Sequence, residues 1–255
     1  EIYTLSLHDA LPIYELSLCY QVPILEQALL SPVDCALLIF PTKALTQDQL
    51  TTFRRLLPEF RSQIAVFDGD TDPRYRSVIK ENVRILLTNP DMVHFGLLPF
   101  HPGWARFFQN LKIVVVDEAH VYRGVFGSHA ANVFRRMNRI CSFYTKTAQP
   151  HRYILASATL SNAGELAEKL TERRCKVILN DQSGGGERDI YFVNPPIVNQ
   201  EFHLRAGSVF TGARLARELT QAGRQTLVFL SSRQSVESAD RKSTRLNSSH
   251  TNLSR

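Results

Sequence analysis

Ile113-Val-Val-Val116, four apolar β-branched residues, run straight into two adjacent carboxylates, Asp117 and Glu118. A continuous apolar run of this kind reads as a strand buried on both faces, as in a parallel sheet flanked by helices. Carboxylates at the carboxyl end of such a strand lie where open α/β sheets bind ligands. Two neighbouring acids repel, so a cation is expected beside them, and Mg²⁺ carried by a nucleotide supplies one. The alternative is a strand that ends in a solvated acidic turn. Asp117-Glu118-Ala119-His120 directly after the apolar run favours the nucleotide site.

Other strand ends repeat the arrangement. Asp34–Phe40 reads as a buried strand stopped by Pro41, with Thr42 and Lys43 opening a helix whose Leu50, Phe53, Leu57 and Phe60 recur on one face. Thr42 there either holds a nucleic-acid phosphate at a helix amino terminus or belongs to an ordinary strand-to-helix turn. Gln63–Phe67 is a further strand, and Asp68-Gly-Asp-Thr-Asp-Pro73 reads as a solvated turn, because no metal-ligand spacing follows. Val83–Leu87 leads into Thr88-Asn-Pro-Asp91, where Thr88 and Asn89 either bind phosphate or cap the next helix. Arg123–Gly127 reads as a loop. The helix after it sends Val133, Phe134, Met137, Ile140 and Cys141 inward and Arg135, Arg136 and Arg139 outward, as a solvated face or a DNA track. Arg152–Ala156 is a strand ending at Ser157-Ala-Thr159; Asn162-x-x-Glu165 predicts a capping box, and Lys176–Leu179 a last strand.

Four of these stretches, in order and spacing, resemble the motifs of superfamily 2 helicases of the DEAD/DEAH-box type. Pro41–Gln49 is similar to motif Ia, Thr88–Asp91 to motif Ib, Asp117–His120 to motif II and Ser157-Ala-Thr159 to motif III. Val121–His129 and Asp68–Thr71 resemble a narrower group, the DNA-repair helicases similar to mitomycin repair factor A, which carry a zinc-binding carboxy-terminal domain. The resemblance spans Ser17 to Glu237 and implies an α/β fold: a RecA-like parallel sheet with helices on both faces, plus the start of a second RecA-like domain. It implies ATP and Mg²⁺ as cofactors and DNA, as single strand or duplex junction, as partner. Asp117 would hold Mg²⁺ through water, and Glu118 would orient and deprotonate the attacking water. His120, Ser157 and Thr159 would couple nucleotide state to nucleic-acid grip through Thr42, Lys43, Thr88, Asn89, Arg123, Ser231 and Arg233. An RNA helicase of the DEAD-box kind stays open as the alternative, as does a nucleic-acid-binding module without catalysis.

The resemblance also exposes a departure. Where the family has Gly-Lys-Ser/Thr, this chain has Glu15-Leu16-Ser17: Ser17 matches the Mg²⁺-binding hydroxyl, while Leu16 takes the place of the phosphate-gripping lysine. Residues 14–239 are therefore expected to show no ATPase activity. Glu1–Ile13 and Asp240–His250 are similar to translated sequencing-adapter sequence, with 251–255 continuing it. The expected division is 1–13 and 240–255 as adapter-derived, 14–180 as the ATP-binding domain, 181–207 as linker and 208–239 as the start of the second domain. The linker contains Gly184-Gly-Gly186 and Pro195-Pro196; Val209–Leu219 predicts a helix and Gln225–Phe229 a strand.

Composition adds bounds. The net charge is +6, of which the two end segments account for one, so the basic balance belongs to the remainder. A basic chain suits a polyanion. Cys19, Cys35, Cys141 and Cys175 have no Cys-x-x-Cys pairing, which argues against a zinc site and for free thiols in a reducing, cytoplasmic setting. No run of about 18 apolar residues predicts a membrane span. Nothing in the sequence addresses oligomeric state.

Overall fold

The computed structural model describes residues 2–6, 13–148, 150–157, 160–178, 189 and 191–237, with only the backbone for 2–6 and 13–16. Its elements divide into two units, 1–185 and 186–255.

In the first unit the apolar runs become strands because each can bury both faces. In chain order the elements are β1 (Ile2–Ser6), α1 (Ile13–Leu30), β2 (Cys35–Ile39), α2 (Lys43–Leu56), β3 (Ile64–Val66), α3 (Pro73–Asn82) and β4 (Ile85–Thr88). A short α4 (Pro90–Met92) runs into a π-helical turn at Val93–Leu97. Then come α5 (Ala105–Asn110), β5 (Leu111–Val116), α6 (Gly124–Thr145), β6 (Arg152–Ser157), α7 (Ala163–Thr171) and β7 (Lys176–Ile178). The strands form one seven-stranded sheet in the order β3-β4-β2-β5-β6-β1-β7, and every pairing in it is parallel.

Side chains alternate across a strand, and each face here has its own core. Leu37, Ile39, Val114, Val116, Tyr153 and Leu155 pack with Trp104, Phe107, Phe134, Met137 and Leu170 of the α5–α7 side. Ala36, Leu38, Ile113, Val115 and Ile154 pack with Tyr20, Ile24 and Phe53 of α1 and α2. The sheet is thus covered on both faces, as expected of parallel strands.

The α1 side is closed by a buried charge. Arg84, 5% exposed, donates to the carbonyls of Ala28, Ser31 and Asp34, and its guanidinium lies 5.0 Å from the Phe60 ring centroid. These carbonyls include ones that the end of α1 leaves without intrahelical donors.

Several expectations need correction. Ile2–Ser6, set aside from the sequence reading, forms β1 between β6 and β7, which does not bear on its origin; a parallel sheet accepts an extended β-prone segment wherever two ladder edges face it. Arg123–Gly127 is not a loop: α6 starts at Gly124, whose φ of +57° favours glycine. Asn162 precedes α7 but makes no side-chain cap bond, because its ψ of 39° departs from extended cap geometry; Glu165 pairs with Lys169 instead. The Asp68–Pro73 stretch is a turn as expected, with Asp68 accepting from the Asp70 amide and Thr71 hydroxyl.

The second unit holds an antiparallel pair, β8 (Ile197–Asn199) and β9 (Leu204–Arg205), and α8 (Ser208–Gln221). The hairpin lies inside the stretch expected to be only a linker. Gln225–Phe229 is not a strand: among the described residues no ladder partner lies beside it, and Leu227 and Phe229 stay exposed. Gly184-Gly-Gly186 lies outside the described residues.

Candidate functional site

The apolar run of β5 places Asp117 at the carboxyl edge of the sheet. The β2–β5 ladder continues one step past the strand, with the Asp117 amide donating to the Ile39 carbonyl at 3.0 Å. The carboxylate is 7% exposed and held at both oxygens. The Glu118 amide donates to Oδ1 at 2.9 Å, and the Tyr20 hydroxyl of α1 donates to Oδ2 at 3.1 Å. Both donors are neutral, so the negative charge has no counter-ion among the described residues, and burial pushes the Asp117 carboxyl up to about 6.

Glu118 takes a left-handed backbone conformation, φ 51° and ψ 46°. That conformation is uncommon and strained for a residue with a Cβ. It turns the chain sharply after the strand, and the Glu118 carboxylate meets His120 Nδ1 at 3.1 Å. The same nitrogen lies 3.4 Å from Ser157 Oγ at the end of β6. His120 therefore touches both the β5 and the β6 strand ends. Thr159 lies outside the described residues.

On the α1 side, Ser17 is buried and accepts from Gln49 Nε2 at 3.1 Å, while Gln21 Nε2 donates to Gln49 Oε1 at 2.8 Å. The Tyr20 hydroxyl has both Ser17 and Asp117 as hydrogen-bond partners. Ser17, Asp117, Glu118, His120 and Ser157 are thereby joined in one network. Sequence reasoning missed Tyr20 and Gln49 as members. The available signal was helical spacing, since Tyr20 follows Ser17 by three residues and shares its face.

The remaining expected residues are placed unevenly. Thr42 is the N-cap of α2, its hydroxyl accepting from the Leu45 amide at 3.5 Å, and Lys43 pairs with Asp70 at 2.5 Å; both are exposed. Asn89 caps α4 by accepting from the Met92 amide at 2.9 Å. Thr88 is buried, and its hydroxyl donates to the Phe67 carbonyl at 2.6 Å, so its side chain faces β3 rather than the surface. Arg123 is exposed at the start of α6. Ser231 and Arg233 are exposed residues of the second unit.

Among the described residues no group of three His, Cys, Asp or Glu side chains could cage a metal. The donor set instead suits magnesium, which keeps most of its waters and binds through one or two carboxylates plus phosphate. Asp117 supplies an uncompensated buried carboxylate and Ser17 a hydroxyl on the facing helix.

Gly127 fixes the turn behind these groups. A Cβ there would stand 2.4 Å from the Tyr122 carbonyl oxygen, and that backbone cannot swing aside as a side chain would. Gly127→Ala is expected to displace the Glu118–Tyr122 turn and to destabilise the chain by about 1–3 kcal/mol, the usual range for overpacking. Urea unfolding measures this, and an unchanged midpoint would mean the turn has slack that the contact denies.

A family model described as DEAD/DEAH box helicase matches residues 17–166. The chain is 41% identical over 223 residues to the uncharacterized ATP-dependent helicase YprA of Bacillus subtilis, covering 87% of this chain and 29% of that protein. It is 37% identical over 219 residues to the ATP-dependent helicase HRQ1 of Saccharomyces cerevisiae, covering 84% and 20%. A crystal structure of the DUF1998 helicase MrfA bound to DNA and AMPPNP superposes with a TM-score of 0.84 at 38% identity, covering 94% of this chain and 32% of that one. The chain thus spans less than a third of the length of these relatives.

Proposed function

Because the chain belongs to the DEAD/DEAH box helicase family, we propose that it is the nucleotide-binding portion of an ATP-dependent DNA helicase acting in DNA repair. The observation that carries this reading is the buried Asp117 carboxylate, held by two neutral donors beside Glu118. A buried carboxylate without a counter-ion is costly unless a cation joins it.

In this reading Asp117 and Ser17 hold Mg²⁺ that arrives with ATP. Bound there, the metal neutralises charge on the phosphates during transfer to water. Tyr20 and the Glu118 amide keep the Asp117 oxygens in place. Glu118, half-buried and turned out of the strand by its left-handed backbone, orients the attacking water and takes its proton. His120 senses the Glu118 carboxylate and passes its position to Ser157, linking two strand ends to the nucleotide. Thr42, Lys43, Asn89 and Arg123, at or just beyond the same sheet edge, contact the phosphate backbone of the nucleic acid. Thr88 serves by its backbone, since its hydroxyl is spent on Phe67. Ser231 and Arg233 contribute from the second unit. DNA rather than RNA as the partner is supported by the DNA-bound neighbour at 38% identity.

The test is hydrolysis in the full-length protein. ATPase activity stimulated by single-stranded DNA should fall at least about 100-fold in Glu118→Gln, with nucleotide binding retained. Stronger stimulation by RNA than by DNA, or full turnover in Glu118→Gln, would contradict the reading.

A further inference from the structure

The outward arginines of α6 do not stand alone. Arg136, Arg139, Phe143 and Lys146 follow one another at three- and four-residue steps, so they form one stripe along the helix and its C-cap. Phe143 is 61% exposed, and Lys146 Nζ lies 4.5 Å from its ring centroid. Arg139 has no hydrogen-bond or ion-pair partner among the described residues. Arg136 donates to His94 Nδ1 at 2.9 Å, and the His94 ring lies 4.2 Å from Phe95, which is 66% exposed.

His94 and Phe95 sit on the π-helical turn, Val93–Leu97. A π turn winds more widely than an α-helix and recurs at functional sites. Between α6 and the segment that follows this turn runs a groove of about 600 Å³ lined by Leu98, Pro99, His101, Arg136, Arg139 and Phe143, together with Ile140, and the Arg136–His94 bond ties its rim to the turn. No carboxylate lines it. On α6's other flank, Glu172 is paired with Arg135 at 2.6 Å.

Exposed aromatic rings interleaved with unneutralised cations over an apolar floor match one polymer class. Bases stack on the rings and phosphates meet the arginines, with little dependence on sequence. We propose that the outer stripe of α6 and the π-helical turn form a stacking groove for single-stranded DNA, additional to the strand-end contacts. The choice of DNA rests on the function proposed above; the groove itself does not depend on the nucleotide site. An acidic or aromatic protein segment is the competing occupant. It is disfavoured because the floor is shallow and the rim cations are spaced along a line, as a strand requires.

The test uses the chain as it is, with fluorescein-labelled dT12 followed by anisotropy at about 50 and 200 mM salt. Arg139→Glu and Phe143→Ala should each weaken binding at least about fivefold. The Arg139 effect should shrink at the higher salt, and the Phe143 effect should not. Arg61→Glu, the same charge change at an exposed site away from the groove, should leave binding unchanged. Thermal melts check that the variants fold. A dT12 strand carrying 5-iodouracil, cross-linked to the unaltered chain, should attach at Phe95 or Phe143.

Equal binding by all variants, or cross-links only at strand-end residues such as Asn89 or Arg123, would overturn the groove and leave the strand-end reading standing. Absence of saturable binding by the unaltered chain would overturn the groove and count against the strand-end contacts as well. Cross-links at Phe143 with binding lost in Phe143→Ala would establish the groove even if Glu118→Gln left hydrolysis intact.

Discussion

Asp117→Asn should melt higher than the unaltered chain at pH 7.5 and no higher at pH 4. Burial raises the Asp117 carboxyl from its ordinary 3.8 to about 6 in the folded chain. A folded-state value above the unfolded one means that the native protein binds the proton more tightly. The stability this confers is fully present below about 3.8 and is lost as pH rises through about 6. At neutral pH the ionised carboxylate is therefore a liability, of about 3 kcal/mol for a shift slightly above two units. Asparagine removes the charge and keeps Oδ1 as acceptor for the Glu118 amide, while its Nδ2 donates to the Tyr20 hydroxyl, which accepts instead of donating. For a chain of this size the gain corresponds to roughly 6–12 °C in melting temperature. Gains from neutralising a working residue mark a site whose function opposes stability. A lower melting temperature at pH 7.5 would show that Asp117 is a structural acid, and the nucleotide reading would lose its main support.

Arg84→Leu should have the largest effect on folding of any single change outside the site. The guanidinium satisfies three carbonyls around the end of α1, those of Ala28, Ser31 and Asp34, and lies against Phe60. Burial holds the Arg84 pKa below its ordinary value, so the fold bears a cost to keep the cation there. Leucine fills part of the volume but leaves three carbonyls without donors. Breaking such a buried charged network costs about 3–5 kcal/mol. Because α1 also carries Ser17 and Tyr20, the loss should reach the site. Denaturant unfolding gives the first readout. Hydrogen exchange in α1, faster than in α6, gives the second. A loss under about 1 kcal/mol would mean that water replaces the guanidinium at those carbonyls.

The sheet's central strands were legible because each is an apolar run ending at a polar turn, and burial on both faces leaves few other solutions for such runs. Asp117, Glu118, His120 and Ser157 were legible for the same reason: each follows a strand, and parallel strands deliver their carboxyl ends to one edge. What escaped was pairing over distance. Nothing local in Tyr20 announces a hydrogen bond to a residue 97 positions away. Nor does Gly127 announce the Tyr122 carbonyl against it. That Ile2–Ser6 extends as β1 was not legible, because its sequence suggested an origin rather than a conformation, and the strand does not bear on that origin. Gln225–Phe229 failed in the opposite sense, since a β-prone run is not a strand without a neighbour. Thr88 had two readings, and its third role, a hydroxyl tied to the next strand's backbone, depends on β3 lying beside β4.

The wider arrangement is one of tension between order and use. Glu118 is held in a strained backbone, Asp117 carries an uncompensated charge, and both sit directly after a strand whose last four residues are buried. A rigid strand end can sustain such groups where a loop would relax them. With Leu16 where the resembling helicases carry lysine, the proposed site would hold its phosphates more weakly than its metal. Nucleotide affinity in this chain should accordingly depend on magnesium more than on phosphate contacts.

The most direct measurement is a titration of the chain with AMPPNP, with Mg²⁺ or with EDTA, repeated on Asp117→Asn and followed by amide chemical shifts. Weak saturable binding is expected, with a dissociation constant of about 1 mM (about −4 kcal/mol), centred on the Asp117–His120 turn and lost with EDTA or in the variant. Binding that survives both treatments, or no shift in that turn at saturating magnesium-nucleotide, would contradict it.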